Sequence, residues 1–136
     1  VARGYTRVTQ LLTEQVERET GLPAAGFFAL VWLLRGGGQD VPLSMLARKL
    51  AFSSGGFTKV ADRLEQAGLI ERQPSSCDRR VTNAALTPAG QVQVERALAV
   101  YAAGLRELVL ERLDIDELRV LAEYMSRLGG DPAPGN

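Results

Sequence analysis

The chain has 136 residues, room for one hydrophobic core and too few for two ordinary domains. Hydrophobic residues make up 46%, charged residues 24% and the net charge is zero; no apolar run reaches the roughly 18 to 20 residues that would cross a bilayer. With no histidine and one cysteine, Cys77, the sequence excludes an intrachain disulfide, and it lacks the commonest metal ligand and the commonest base at neutral pH.

The first predicted helix runs from about Tyr5 to Thr20, with Val8, Leu11, Leu12 and Val16 on one stripe of a polar segment. The chain opens on Val1 rather than Met, the mark expected of a trimmed N-terminal piece. Gly21-Leu22-Pro23 breaks the helix, and Pro23 suits the opening of a second one reaching about Arg35. That second helix is apolar on most faces, so it is expected to be central and buried, and Gly36-Gly37-Gly38 ends it. A third, shorter helix covers about Leu43 to Ala51, with Leu43, Leu46, Ala47 and Leu50 at helical spacing.

The turn Phe52-Ser53-Ser54-Gly55-Gly56 follows, with Ser53 or Ser54 as N-cap of the fourth helix. Phe57, Val60, Ala61 and Leu64 form the inner face of that helix; Thr58, Lys59, Asp62, Arg63 and Gln66 point outward, and Gly68 closes it. The period then changes. Leu69 to Gln73 and Val81 to Leu86 read as two strands joined by Pro74 to Arg80, a hairpin with a basic, exposed tip. Thr87-Pro88 has the pattern of an N-cap before a first-turn proline, opening a long helix to about Leu113. Val94, Leu98, Tyr101, Leu105 and Leu108 space that helix almost as a heptad seam. Asp114 and Glu117 resemble a capping box for a last helix carrying Ile115, Leu118, Leu121, Met125 and Leu128, and residues 130–136 read as a flexible tail.

The neutral total hides an uneven distribution. Between Val41 and Thr82 seven basic residues face four acidic ones, whereas from Asn83 onward five basic residues face eight acidic ones. A short helix, a tight polar turn and a helix with a polar outer face form a helix-turn-helix pattern, and an α-helix fits the major groove. The arginine-tipped hairpin immediately after it adds a second reader, because arginine suits a narrow, electronegative minor groove. No nucleophile–base pair, phosphate loop or CxxC is present, so an enzyme is not expected, and no cofactor or metal is implied.

The ordered runs "ADRLEQAGLIER" (61–72), "DRR" (78–80) and "LTPAG" (86–90) resemble the MarR family of bacterial regulators. The helical flanks fit as well, so the likeness covers nearly the whole chain. It implies a mainly α fold with a small β-hairpin, a winged helix-turn-helix over about 36–87 in a single domain. Helices over about 3–20 and 88–129 would then interlock two copies into a homodimer. It further implies cytoplasmic, nucleoid-associated action on a pseudo-palindromic duplex operator, as a repressor released by a small-molecule effector. Carried over residue by residue, Ser54, Thr58, Lys59 and Arg63 occupy DNA-facing positions of the recognition helix. Arg80 matches the wing-tip arginine that enters the minor groove, Asp78 the acid that steadies it, and Arg79 a phosphate contact. Gly55 and Gly56 depart from the many relatives that carry side chains there; they leave fewer groups for reading bases and allow close backbone approach.

Other residues invite competing readings. Cys77 beside Arg79 and Arg80 suggests a redox sensor, against which stands an incidental thiol in a reducing compartment. Phe28 and Trp32 are candidates for an effector pocket, or simply core. Asp114, Asp116 and Glu117 form a carboxylate cluster whose place at a helix start favours capping over metal binding. The rival to DNA binding is a helical dimerisation module that kept the fold and lost the activity.

Overall fold

The computed structural model describes residues 2–129; the expected tail over 130–136 and the chain's first residue lie outside them. Helix α1 (Ala2–Thr20) ends where Gly21 turns left-handed at φ 77° and donates its N–H to Glu17 O. Pro23 stands at the N-cap of α2 (Ala24–Arg35), and Phe27, Ala29, Leu30 and Leu33 on that helix are 1% exposed or less. The expected central helix is central. Its end is set by Gly37 and Gly38, both at positive φ, with the Gly38 N–H reaching back to Leu33 O at 2.8 Å.

A strand that the sequence pattern did not suggest follows at once. β1 (Val41–Pro42) is two residues long and pairs antiparallel with β3 (Thr82–Leu86), Val41 opposite Ala84. β3 also pairs with β2 (Ile70–Pro74), Arg72 opposite Ala84, so the hairpin is two-thirds of a three-stranded sheet ordered β1-β3-β2. Two residues, one of them proline, carry no readable alternation; only the arrival of β3 makes them a strand.

Helix α3 (Leu43–Lys49) stops two residues short of the predicted end, because Ala51 adopts φ 57° and the Phe52 N–H bonds Ala47 O at 2.8 Å. Helix α4 (Ser54–Gln66) begins earlier than expected: Ser53 is its N-cap, its Oγ accepting from the Gly56 N–H at 3.1 Å. Ser54, Gly55 and Gly56 are therefore the first turn of α4 and not part of the connecting turn. Phe57, Ala61 and Leu64 are buried against α2 and the sheet, as their spacing predicts. One continuous core runs from Val16 through α2, α3, α4 and the strands to Val94 and Ala97.

Helix α5 (Pro88–Leu110) is locked at its start. Thr87 Oγ1 accepts from the Gly90 N–H at 2.9 Å and donates to Gly68 O at 2.6 Å, while the Thr87 N–H donates to Leu69 O at 3.1 Å. Gly90 packs so tightly on the Leu69 carbonyl that an added Cβ would overlap its oxygen. The turn that closes α4 and the first turn of α5 thus meet backbone to backbone.

The chain divides into two compact units, residues 1–101 and 102–136, with α5 running through the division. The predicted seam on α5 splits there too. Val94 is buried, and Leu98 and Tyr101 pack on the core of the first unit. Leu105, by contrast, is 39% exposed. In the second unit α6 (Ile115–Gly129) follows a reciprocal cap, the Glu117 N–H donating to Asp114 Oδ1 at 2.8 Å and the Asp114 N–H to Glu117 Oε2 at 2.9 Å. Two of the three clustered carboxylates are used up in this cap. Ile115, Leu110 and Tyr124 are more than half exposed, so this unit leaves much apolar surface uncovered in one chain.

Candidate nucleic-acid interface

The outer face of α4 carries Ser54, Gly55, Thr58, Lys59 and Arg63, all exposed, with Gly56 partly covered. Thr58 Oγ1 donates to Ser54 O at 2.8 Å, which leaves the hydroxyl oxygen free to accept. Lys59 and Arg63 have no ion-pair partner among the described residues. The face therefore offers two cations and two hydroxyls around a bare glycine step.

The connection between β2 and β3 is closed by the Ser75 N–H to Val81 O (2.8 Å) and the Val81 N–H to Asp78 O (3.0 Å). Inside it, Asp78 Oδ1 accepts from the Arg80 backbone N–H at 3.0 Å and from Arg80 Nε at 3.2 Å, while Oδ2 accepts from Nη2 at 3.3 Å. The hydrogen bonds from the Arg80 side chain, then from its backbone N–H, hold the Asp78 carboxyl below the usual carboxylate range. The Arg80 side chain is nonetheless 91% exposed. A guanidinium aimed at water and oriented by a turn carboxylate is a pre-positioned ligand for an anion. Arg79 is exposed beside it, without an ion-pair partner among the described residues, and Cys77 is exposed two residues before.

Helix and wing tip meet across a cleft of about 260 Å³. Leu43, Ser44 and Ala47 of α3, Ser54, Phe57 and Thr58 of α4, and Arg80, Val81 and Thr82 of the wing line it. Three of the residues singled out from the sequence, Ser54, Thr58 and Arg80, thus share one cleft. Lys59, Arg63 and Arg79 stand outside it on the same two elements.

The sequence reading missed what fixes the wing to the helix. Asp62 and Glu65 look there like solvated charges, and Arg72 like a strand residue remote from the tip. In the structure Arg72 Nη2 lies 2.7 Å from Asp62 Oδ1 and 2.9 Å from Glu65 Oε1, and the Arg72 backbone N–H donates to Glu65 Oε2 at 3.0 Å. The Arg72 side-chain hydrogen bond holds Glu65 below its usual range, and the same bond, with that to Asp62, pushes Arg72 up. Two acids of the recognition helix are turned inward to β2, so the outward face is more basic than its sequence. Opposite charges seven and ten residues apart across a helix-to-strand turn were the available signal.

Phe28 and Trp32, the candidate effector-pocket residues, are partly buried on α2 against the core. The Phe28 ring lies 5.3 Å from that of Phe27, and Trp32 has the Arg35 guanidinium at 5.3 Å and the Lys49 ammonium at 5.5 Å from its ring. Neither lines the cleft between α4 and the wing. Among the described residues no group of three His, Cys, Asp or Glu could hold a metal ion, and no helix is long and apolar enough to cross a membrane.

Set beside known proteins, residues 20–81 match the sequence profile of the MarR family. The HTH-type transcriptional regulator MhqR of Bacillus subtilis is 30% identical over 129 residues, which is 95% of this chain and 86% of that protein. The crystal structure of a probable transcriptional regulator from Pseudomonas aeruginosa superposes with a TM-score of 0.75 at 27% identity, covering 94% of this chain and 96% of that one. Sco3205 from Streptomyces coelicolor, a MarR family regulator solved in complex with DNA, shares the fold at a TM-score of 0.75 and 24% identity over 98% of this chain and 88% of its own.

Proposed function

The chain belongs to the MarR family, and from that premise we propose that it is a transcriptional regulator that binds duplex DNA as a homodimer, one winged helix per half-site. The observation that carries the reading is Arg80, exposed and braced by Asp78, facing Ser54 and Thr58 of α4 across a single cleft. On this reading α4 lies in the major groove, with Thr58, Lys59 and Arg63 toward base edges and phosphates and Gly55 and Gly56 letting the backbone approach. Arg80 enters the flanking minor groove, and Arg79 meets a phosphate. The apolar surface on Leu105, Leu110, Ile115 and Tyr124 is what a second copy covers. The protein performs no covalent chemistry. It acts on the chromosome in the bacterial cytoplasm as a repressor, released when a small molecule binds between the dimerisation and DNA-binding regions.

Selection of bound duplexes from a random library tests this, followed by titration of the selected duplex over a range of salt. The expected result is an inverted repeat with half-sites about 10 bp apart, centre to centre. The log–log salt slope should be on the order of −4 to −8, from a few phosphates neutralised per subunit. Failure to enrich any sequence, with a folded dimeric protein, would favour the rival module that lost DNA binding. A flat salt dependence would remove the basic face.

A further inference from the structure

From Leu12 to Gln91, Phe52 is the one large apolar side chain left exposed among the described residues, at 39%. It immediately precedes Ser53, the N-cap of α4. Its backbone is held by the N–H bond to Ala47 O at 2.8 Å, after a turn at Ala51 with φ 57° that alanine seldom adopts. On one side the ring rests 6.1 Å from that of Phe57, which is buried in the core. Its Cδ1 is 3.6 Å from the place a Cβ on Gly56 would occupy, so the bare glycine leaves the ring its room. Nothing stands within 4 Å of a Cβ built on Gly55. The result is a ring anchored through Phe57 and open to water at the head of the recognition helix.

We propose that Phe52 reads a base: its ring meets the C5-methyl of a thymine in the major groove and supplies the side-chain readout that Gly55 and Gly56 lack. The inference rests on the DNA-binding reading above. A recognition helix enters the groove with its N-terminal residues toward the base edges, and a residue directly before the N-cap that touches the first turn enters with it. Of the groups the major-groove edges present, the thymine methyl is the apolar one. A phosphate contact would need a cation or a hydrogen-bond donor, which a phenyl ring does not offer.

The test uses the full-length protein and the duplex selected from the random library, with each thymine replaced in turn by deoxyuridine. One position per half-site should cost the wild type about fourfold in affinity, the value of one methyl withdrawn from an apolar contact. Phe52→Ala, checked for folding by circular dichroism, should show no penalty at that position and keep the wild-type salt slope. Photocrosslinking of wild-type protein to a duplex with 5-iododeoxyuridine at the same position should give a peptide modified at Phe52, a readout that needs no variant to fold. A wild type indifferent to every methyl, an undiminished penalty in folded Phe52→Ala, or a crosslink to another residue would overturn the proposal while leaving DNA binding intact. If no duplex is selected at all, the DNA-binding reading fails and this inference falls with it.

Discussion

Replacing Gly90 by alanine should damage this protein far more than its position in the first turn of a helix suggests. Elsewhere in a helix the change would gain about 0.5–1 kcal/mol, because alanine loses less backbone freedom on folding. Here the new Cβ would overlap the Leu69 carbonyl oxygen, and would stand 2.9 Å from the carbonyl carbon and 3.2 Å from Leu69 Cα. All three are backbone atoms, so no rotamer change relieves the clash. Helix α5 must back away, which strains the Thr87 N–H to Leu69 O bond and the Thr87 Oγ1 bond to Gly68 O. Each bond contributes about 0.5–1.5 kcal/mol, and overpacking costs about 1–3 kcal/mol more. Retreat of α5 also loosens Val94 and Ala97, both fully buried. Net of the helix gain, Gly90→Ala should lose about 3 kcal/mol, a fall of about 10 °C in Tm for a chain of this size. Thermal melts of both proteins at one fixed concentration check this, with Gly55→Ala as the contrast. Gly55 is exposed in the first turn of α4 with open space around it, so alanine there should stabilise by about 0.5 kcal/mol. If Gly90→Ala melts within about 2 °C of wild type, the backbone contact does not constrain α5 and the reasoning fails.

Arg80→Ala should leave folding within about 0.5 kcal/mol, because the side chain is almost wholly exposed, yet weaken binding to the selected duplex by about 1–3 kcal/mol per contact and flatten any preference for A·T-rich flanks. Equal affinity of the two folded proteins would refute a minor-groove role. Arg72→Ala is expected to lower both Tm and DNA affinity, since Arg72 ties β2 to Asp62 and Glu65 of α4, whereas Arg79→Ala should lower affinity alone and reduce the salt slope by about 1; an Arg72 variant melting like wild type would dissolve the tie. Because the folded-state pKa of Glu65 is depressed, the stability it contributes is present above about pH 5 and is lost as pH falls below about 4. Glu65→Gln should accordingly show a shallower acid fall in Tm than wild type, and identical pH profiles would contradict the sign. Removing residues 114–136 takes away the whole of α6 and should yield monomer or aggregate by light scattering, with tight DNA binding abolished; a folded monomer that still binds tightly would contradict the dimer.

Much of the architecture was legible because the devices involved are local. Helical spacing put Phe57, Ala61 and Leu64 on one face, and glycine after the last turn marked the ends of α2 and α4. Thr87 and the Asp114–Glu117 pair could be read as caps, because a side chain bonding an amide three residues on depends on nothing else in the chain. The exposed wing tip was equally plain: Pro74 to Arg80 holds no residue the core could use, and Asp78 reaches Arg80 within two residues. On composition alone, the absence of histidine and of any second cysteine excluded whole classes of chemistry.

Tertiary structure decided whatever joins residues distant along the chain. Val41 and Pro42 become a strand only when Ala84 and Asn83 arrive beside them, forty-odd positions later in the sequence. Whether Asp62 and Glu65 are solvated charges or partners of Arg72 depends on the angle at which β2 leaves α4, which no periodicity encodes. The seam on α5 reads as one stripe in sequence, yet its first half packs on this chain's own core and its second half remains open. Gly90 is the sharpest case. As a letter in "LTPAG" it is one more weak helix former, and only the approach of the Leu69 backbone, twenty-one residues earlier, makes the absence of a side chain a requirement. Spacing and capping act within a turn or two of chain, whereas a close packing distance is set by every element that the core pulls together at once.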